Sequence, residues 1–115
     1  MSRHDDAVRL RHLLDAARKA VSLVAGKSRP EVAADELAQL ALARLLEIVG
    51  EAAGRVSPNY QSAHPEIRWP SMSGLRNRLA HAYFDVDLDI LLDIVAKDLP
   101  PLIRQLEGLL SEEPR

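Results

Sequence analysis

The chain has 115 residues, 28% charged and 47% apolar, the balance of an ordinary globular protein and a length that suits one domain. Fifteen Lys and Arg against seventeen Asp and Glu give a formal net charge of −2, which excludes a globally basic nucleic-acid binder but leaves room for a local cationic site. The absence of cysteine excludes disulfides, thiolate catalysis and Cys-bound zinc, and no apolar run approaches the roughly 20 residues that cross a bilayer.

The only aromatic residues are Tyr60, Trp69, Tyr83 and Phe84, so the rest of the core must be Leu, Ile, Val and Ala. That is the make-up of packed helices, without β-branched or aromatic strand runs. Residues 8–24 read as a first helix, with Leu10, Leu13, Leu14, Ala17, Val21 and Val24 at three- and four-residue steps and Gly26 as the stop. Pro30 and the acids at 31, 35 and 36 open a second helix that is expected to run to about Val56. Its expected face is Leu37, Leu40, Ala41, Leu45, Ile48 and Ala52, widened by Leu42, Leu46 and Val49. A helix so apolar around its girth is either central or turned to a second subunit. Gly50 and Gly54, one turn apart, permit close helix approach.

Ser57 to Trp69, with Pro58, Asn59, Ser62 and Pro65, reads as a loop. Pro70 opens a third helix to about Tyr83, and Asp85-Val86-Asp87 is a break with Asp87 as the N-cap of a fourth. Leu88, Leu91, Leu92 and Val95 mark its buried side. Pro100-Pro101 forces a kink or a new start before the last stripe of Leu102, Ile103, Leu106, Leu109 and Leu110. Residues 111–115 read as a frayed tail. The expectation is a single all-α domain with an ordered core over about residues 8–110, an up-and-down antiparallel bundle of four or five helices. The polar, acidic start lacks the apolar stretch of a secretory signal, so a cytoplasmic protein is expected.

The third helix is the unusual one. On a wheel of about 100° per residue, Met72, Leu75, Leu79, Ala82 and Tyr83 share the core arc. The opposite arc carries Arg76, Asn77 and His81 above a floor of Ser73, Gly74 and Ala80. Each member has a plain reading: a solvated arginine, a surface histidine, an asparagine bonded to a neighbouring backbone. Together, on one arc with small residues between them, they make a candidate site.

The run Arg76-Asn77-Arg78-Leu79-Ala80-His81-Ala82-Tyr83 resembles the R-x4-H-x-Y signature of the HepT-like family, a branch of the HEPN superfamily of metal-independent ribonucleases. Four flanking blocks resemble the family in the same order: Ile48 to Ala53, Pro65 to Trp69, Tyr83 to Asp87 and Asp98 to Leu102. The resemblance implies a HEPN-like bundle and an endoribonuclease in which Arg76 and His81 are catalytic and Asn77 assists. It also implies a homodimer whose two motifs line one cleft. RNA brings its own nucleophile, the 2′-OH; an imidazole moves protons near neutral pH and a guanidinium binds phosphate oxygens in pairs, so neither a metal nor a cofactor is expected. The family further implies the toxin of a type VII-like toxin–antitoxin pair. Its partner would be an MntA-type nucleotidyltransferase antitoxin that attaches AMP to the matching tyrosine, here Tyr83. The plain reading of Tyr83 is an aromatic at the edge of the core.

Glu51 has two readings, a solvent-exposed acid or a partner that orients Arg76 or His81 across the bundle. Asp85, Asp87 and Asp89 have the look of a metal cluster, but their spacing at a helix start fits capping. Trp69 and Tyr60 are read as anchors of the long loop, with base stacking as the other possibility. Two alternatives stay open beside the enzyme: a non-catalytic helical partner of a nucleotidyltransferase, and a plain helical assembly module.

Overall fold

The computed structural model describes residues 3–81 and 88–112; within them the side chains of residues 3, 4, 76, 80 and 81 lie outside the description. Every element among the described residues is helical, as the aliphatic composition requires. The first helix, α1 (Arg3–Val24), starts ahead of the expected residue 8 because its acidic first turn has a use. Asp5 and Asp6 complement the helix dipole, and Asp6 is buried at 4% exposure. Its Oδ1 accepts from the Ser57 N–H at 2.8 Å and its Oδ2 from the Ser57 hydroxyl at 2.6 Å. The Ser57 oxygen in turn accepts from the Tyr60 N–H at 3.3 Å, capping α4 (Pro58–Ala63). Asp6→Ala strips the Ser57 N–H of its acceptor and is expected to destabilise the fold by about 1–3 kcal/mol, with Asp6→Asn in between. Urea denaturation of the three proteins checks this; identical midpoints would remove the carboxylate from the fold's support.

Gly26 ends α1 with φ +74°, the left-handed conformation expected of that stop. The expected second helix is two. Ser28 and Glu31 form a reciprocal capping box at the start of α2 (Arg29–Ala33), with Pro30 in its first turn. Asp35 then caps a new helix, α3 (Glu36–Gly54), its Oδ1 accepting from the Ala38 N–H at 3.0 Å. A side chain that satisfies the backbone outside the helix competes with continuing it, which is why the run breaks here. Gln39 closes the corner by donating to the Val32 and Ala33 carbonyls, both at 3.0 Å.

The early break also decides which face of α3 is inside. Ala38, Leu42, Leu46, Val49 and Ala53 are buried on a helix that packs chiefly on α1, whereas Leu37 and Leu40, expected on the core face, are 78% and 55% exposed. The expected stripe and its widening swap roles. When two overlapping stripes are both apolar, periodicity cannot choose between them, and packing against α1 does.

The segment expected as a loop contains the turn α4 and a small aromatic cluster. Trp69, at 5% exposure, meets Tyr60 edge to face at 6.3 Å and donates Nε1–H to the His64 carbonyl at 2.9 Å. Tyr60 also lies 4.3 Å from the His64 ring. Gln61 donates to the Val56 carbonyl at 2.9 Å, tying α4 to the end of α3. These contacts give Trp69 and Tyr60 the anchoring role.

Trp69 then opens α5 (Trp69–Ser73), followed by α6 (Leu75–His81). The interruption is Gly74, whose N–H donates to the Pro70 carbonyl at 2.9 Å and whose own carbonyl accepts from the N–H groups of Asn77 and Arg78. A Cβ at Gly74 would stand 2.9 Å from the Pro70 oxygen, so only glycine fits this close passage.

After the undescribed residues come α7 (Leu88–Asp93), a π-helical turn (Ile94–Asp98) and α8 (Leu99–Glu112). Pro100 and Pro101 bring no N–H to the ladder. The wider turn absorbs the loss, with the Leu99 N–H reaching back to the Ile94 carbonyl, so the expected kink is realised as a π turn. Leu91, Ile94, Leu99 and Leu106 are fully buried and join Leu10, Leu13, Leu42 and Leu46 in one core. Four rods result: α1, α3, α5–α6 and α7–α8. Packing of α1 on α3 and α8, and of α5 and α6 on α3, makes the bundle. Among the described residues, no helix is long and apolar enough to cross a membrane.

Arg29 Nε donates to Asp89 Oδ1 at 2.6 Å, tying α2 to α7 and holding the Asp89 carboxyl below the usual range, chiefly through that hydrogen bond. A lowered carboxyl stabilises above its unfolded value and loses that contribution as pH falls through the folded one. The wild type is therefore expected to melt slightly above Arg29→Ala at neutral pH, with the gap closing below about pH 4. Paired melts across that range check it; a gap that persists in acid would place the effect elsewhere.

Candidate functional site

The rod α5–α6 turns Met72, Leu75 and Leu79 into the core, all at 7% exposure or less, as the wheel expects. Ser73 and Asn77 are exposed on its outer side. Arg76 and His81 both belong to α6, five positions and about 7.5 Å of helix rise apart. Expectations for the side chains of Arg76 and His81 lie outside the described residues, as do all those for Tyr83, Asp85 and Asp87.

Two grooves flank this rod. One, of about 450 Å³, lies between α3 and α5 and is lined by Gly50, Glu51, Gly54, Arg55 and Ser73. Four of these five stand out in the sequence: the glycine pair, Glu51 and Ser73. Glu51 is neither fully exposed nor sealed; its side chain is 34% exposed and its Oε1 accepts from Arg44 Nη1 at 3.4 Å. Gly54 faces Ser73, and a Cβ there would lie at an ordinary contact distance of 3.8 Å from Ser73 Cβ. Ser73 donates its hydroxyl to the Trp69 carbonyl at 3.1 Å, so it presents little but small bulk to the groove. Sequence reasoning missed Arg55. The available signal was a cation set directly behind a helix-ending glycine.

The other groove, of about 540 Å³, lies between α5–α6 and the π turn with the start of α8. Arg68, Arg78 and Lys97 line it together with Glu66, Asp93 and Asp98. Lys97 Nζ sits 2.8 Å from Asp93 Oδ1, and this hydrogen bond raises the ammonium above its usual pKa. Arg78 Nη1 stands 3.8 Å from Asp98 Oδ2. The charges of this groove balance, and the sequence had not marked it. Asp89, part of the aspartate run at the start of α7, pairs with Arg29. Among the described residues no three His, Asp or Glu side chains gather as a metal ion would need.

Comparison with known proteins gives the chemistry a context. Residues 13–109 match a family model described as ribonuclease HepT-like. A protein of Thermococcus cleftensis named "Probable ribonuclease HepT" is 41% identical over 75 residues, covering 65% of this chain and 68% of that protein. A "Putative RNase" of Caldanaerobacter subterraneus is 30% identical over 104 residues, 90% of this chain and 93% of that one. Another "Putative RNase", from Methanocaldococcus jannaschii, is 31% identical over 107 residues, 93% and 98% of the two chains. No solved structure gives a significant match.

Proposed function

This chain belongs to the HepT-like ribonuclease family, and from that premise we propose that it is a metal-independent endoribonuclease acting as a homodimer. The supporting observation is α6 itself. One unbroken helix carries Arg76, Asn77 and His81, so their backbone spacing is rigid, and its core face is filled by Leu75 and Leu79. A rigid element holds reacting groups more closely than a loop does.

In the proposed reaction the 2′-OH of one nucleotide attacks its own 3′-phosphate. Its proton passes to a neutral imidazole, and a protonated imidazole gives one to the leaving 5′-oxygen. Two protomers supply two His81 rings for these two tasks. Arg76 from each donates to the non-bridging oxygens as charge grows on phosphorus. Asn77, exposed on the same helix, orients the phosphate or the ring as donor and acceptor. Glu51 is proposed as an orienting partner from α3, its charge moderated by Arg44. Pairing about a two-fold axis doubles the cations at one place, which lets a chain of net charge −2 hold an anion.

The test is incubation of the purified protein with RNA in EDTA. Fragments ending in 2′,3′-cyclic phosphate are expected. RNA bound and left intact would favour the non-catalytic partner of a nucleotidyltransferase.

We extend the proposal to regulation: the protein is the toxin of a toxin–antitoxin pair, silenced when an MntA-type nucleotidyltransferase attaches AMP to Tyr83. An anionic adduct two positions beyond His81 would occupy the cleft and repel RNA phosphates. Tyr83→Phe is expected to keep its nuclease activity and to gain no AMP when incubated with the transferase and ATP. Mass spectrometry reading an equal AMP load on both proteins would place the modification on another residue.

A further inference from the structure

We propose that Arg55 grips a phosphate of the RNA strand next to the one that is cut, and that the groove between α3 and α5 is the seat of that flanking nucleotide. The inference rests on the ribonuclease reading and adds a positioning residue outside the motif.

Charge is the first argument. Arg18 pairs with Glu107, Arg29 with Asp89, Arg44 with Glu47 and Glu51, and Arg78 with Asp98. Arg9, Arg11, Arg68 and Arg104, like Arg55, make no ion pair among the described residues, and of these only Arg55 and Arg68 line a groove, that of Arg68 being already balanced in charge. Arg55 has no carboxylate partner among the described residues, yet it lines a groove and is exposed. The groove's own acid, Glu51, is engaged by Arg44, which does not line the groove. An uncommitted guanidinium in a recess is the kind of group that receives a phosphate.

The floor gives the second argument, independent of the first. Gly54 needs no special backbone, because Gly26 is the only described residue with positive φ. It needs no extra space for packing either, since a Cβ would meet Ser73 at an ordinary 3.8 Å. Alanine would fit and would favour the helix by about 0.5–1 kcal/mol. What a methyl group would take away is room in the groove, which Gly50, Gly54 and Ser73 together keep open. Its volume of about 450 Å³ is in the range of pockets that seat small organic groups.

Position is the third. Ser73 borders the groove and precedes Arg76 by three residues on the same rod, so the recess adjoins the backbone that carries the motif. A strand whose cut phosphate lies at α6 has its neighbour within reach of the α3 end.

The experiment uses the full chain and a fluorescent single-stranded RNA, with cleavage and anisotropy read over a series of salt concentrations. Arg55→Ala is expected to raise KM about tenfold with kcat within twofold, and Arg55→Lys to recover part of the loss. The salt dependence of log Kd should flatten by about 0.7, the loss of one single-strand phosphate contact. Gly54→Ala should also raise KM while melting no lower than the wild type. If Arg55 only complemented the carbonyl end of α3, its removal would lower Tm and leave KM and salt slope alone, and the inference would be overturned. Active wild type with an unaffected Arg55→Ala sinks this inference and spares the ribonuclease reading. Wild type that binds RNA without cutting it sinks the ribonuclease reading, while the anisotropy series still judges Arg55. Wild type that neither binds nor cuts sinks both.

Discussion

His81→Ala is expected to cut RNA about 10²–10⁴-fold more slowly than the wild type and to melt at the same temperature. Alanine is the best helix former, so the exchange does not weaken α6 as a helix. In the proposed mechanism what disappears is the proton shuttle: without it the 2′-OH would lose its proton to water and the 5′-oxygen would leave as an alkoxide. Arg76→Ala should cost about 10²–10³-fold by removing donors aimed at the growing phosphorane charge. Arg76→Lys should fall between, because an ammonium keeps the charge and loses the paired geometry. Single-turnover cleavage of a defined RNA, beside thermal melts of the three variants, separates chemistry from folding. A His81→Ala protein that keeps a third of the wild-type rate would end the account of α6 as the catalytic helix.

The parts of this molecule that were legible in its sequence are those that depend on one helix at a time. The core face of the third rod at Met72, Leu75 and Leu79, the Gly26 stop and the stripe at Leu102 and Leu106 follow from local spacing, and the structure has them. Features that depend on two elements meeting were not legible. Asp6 and Ser57 are far apart in sequence, and nothing in the polar start announces a buried carboxylate that holds the capping serine of a distant turn. The face of α3 is set by α1, so an all-round apolar sequence left two choices and the exposed Leu37 and Leu40 came as a correction. The candidate site divides in the same way. Arg76, Asn77 and His81 were visible as a local motif, and they fall within the residues 13–109 that match the family model. The groove is a product of α3 meeting α5. Gly50, Gly54, Glu51 and Ser73 each drew notice alone, but their assembly around Arg55 exists only in three dimensions.

The same dependence of the site on a distant anchor gives the largest expected stability effect. Trp69→Ala should destabilise the fold by about 3–5 kcal/mol, a large share of the roughly 5–15 kcal/mol that holds a domain of this kind together. The indole is buried at 5% exposure, stands edge-on to Tyr60 and satisfies the His64 carbonyl through Nε1–H. It is also the first residue of α5, so the start of the rod that carries Ser73, Arg76 and His81 is held by this ring. Two losses add up: a cavity where the bicycle was, and the shorter of two hydrogen bonds to the His64 carbonyl, which keeps only the Ile67 N–H at 3.3 Å. Trp69→Phe separates them, since it keeps most of the apolar bulk and removes the N–H; about 0.5–1.5 kcal/mol is expected for it. Urea denaturation gives both numbers, and RNA cleavage well below the unfolding midpoint reports whether α6 keeps its place. Trp69→Ala unfolding within 1 kcal/mol of the wild type would mean that the rod is positioned by its packing on α3 alone, with the aromatic cluster a bystander.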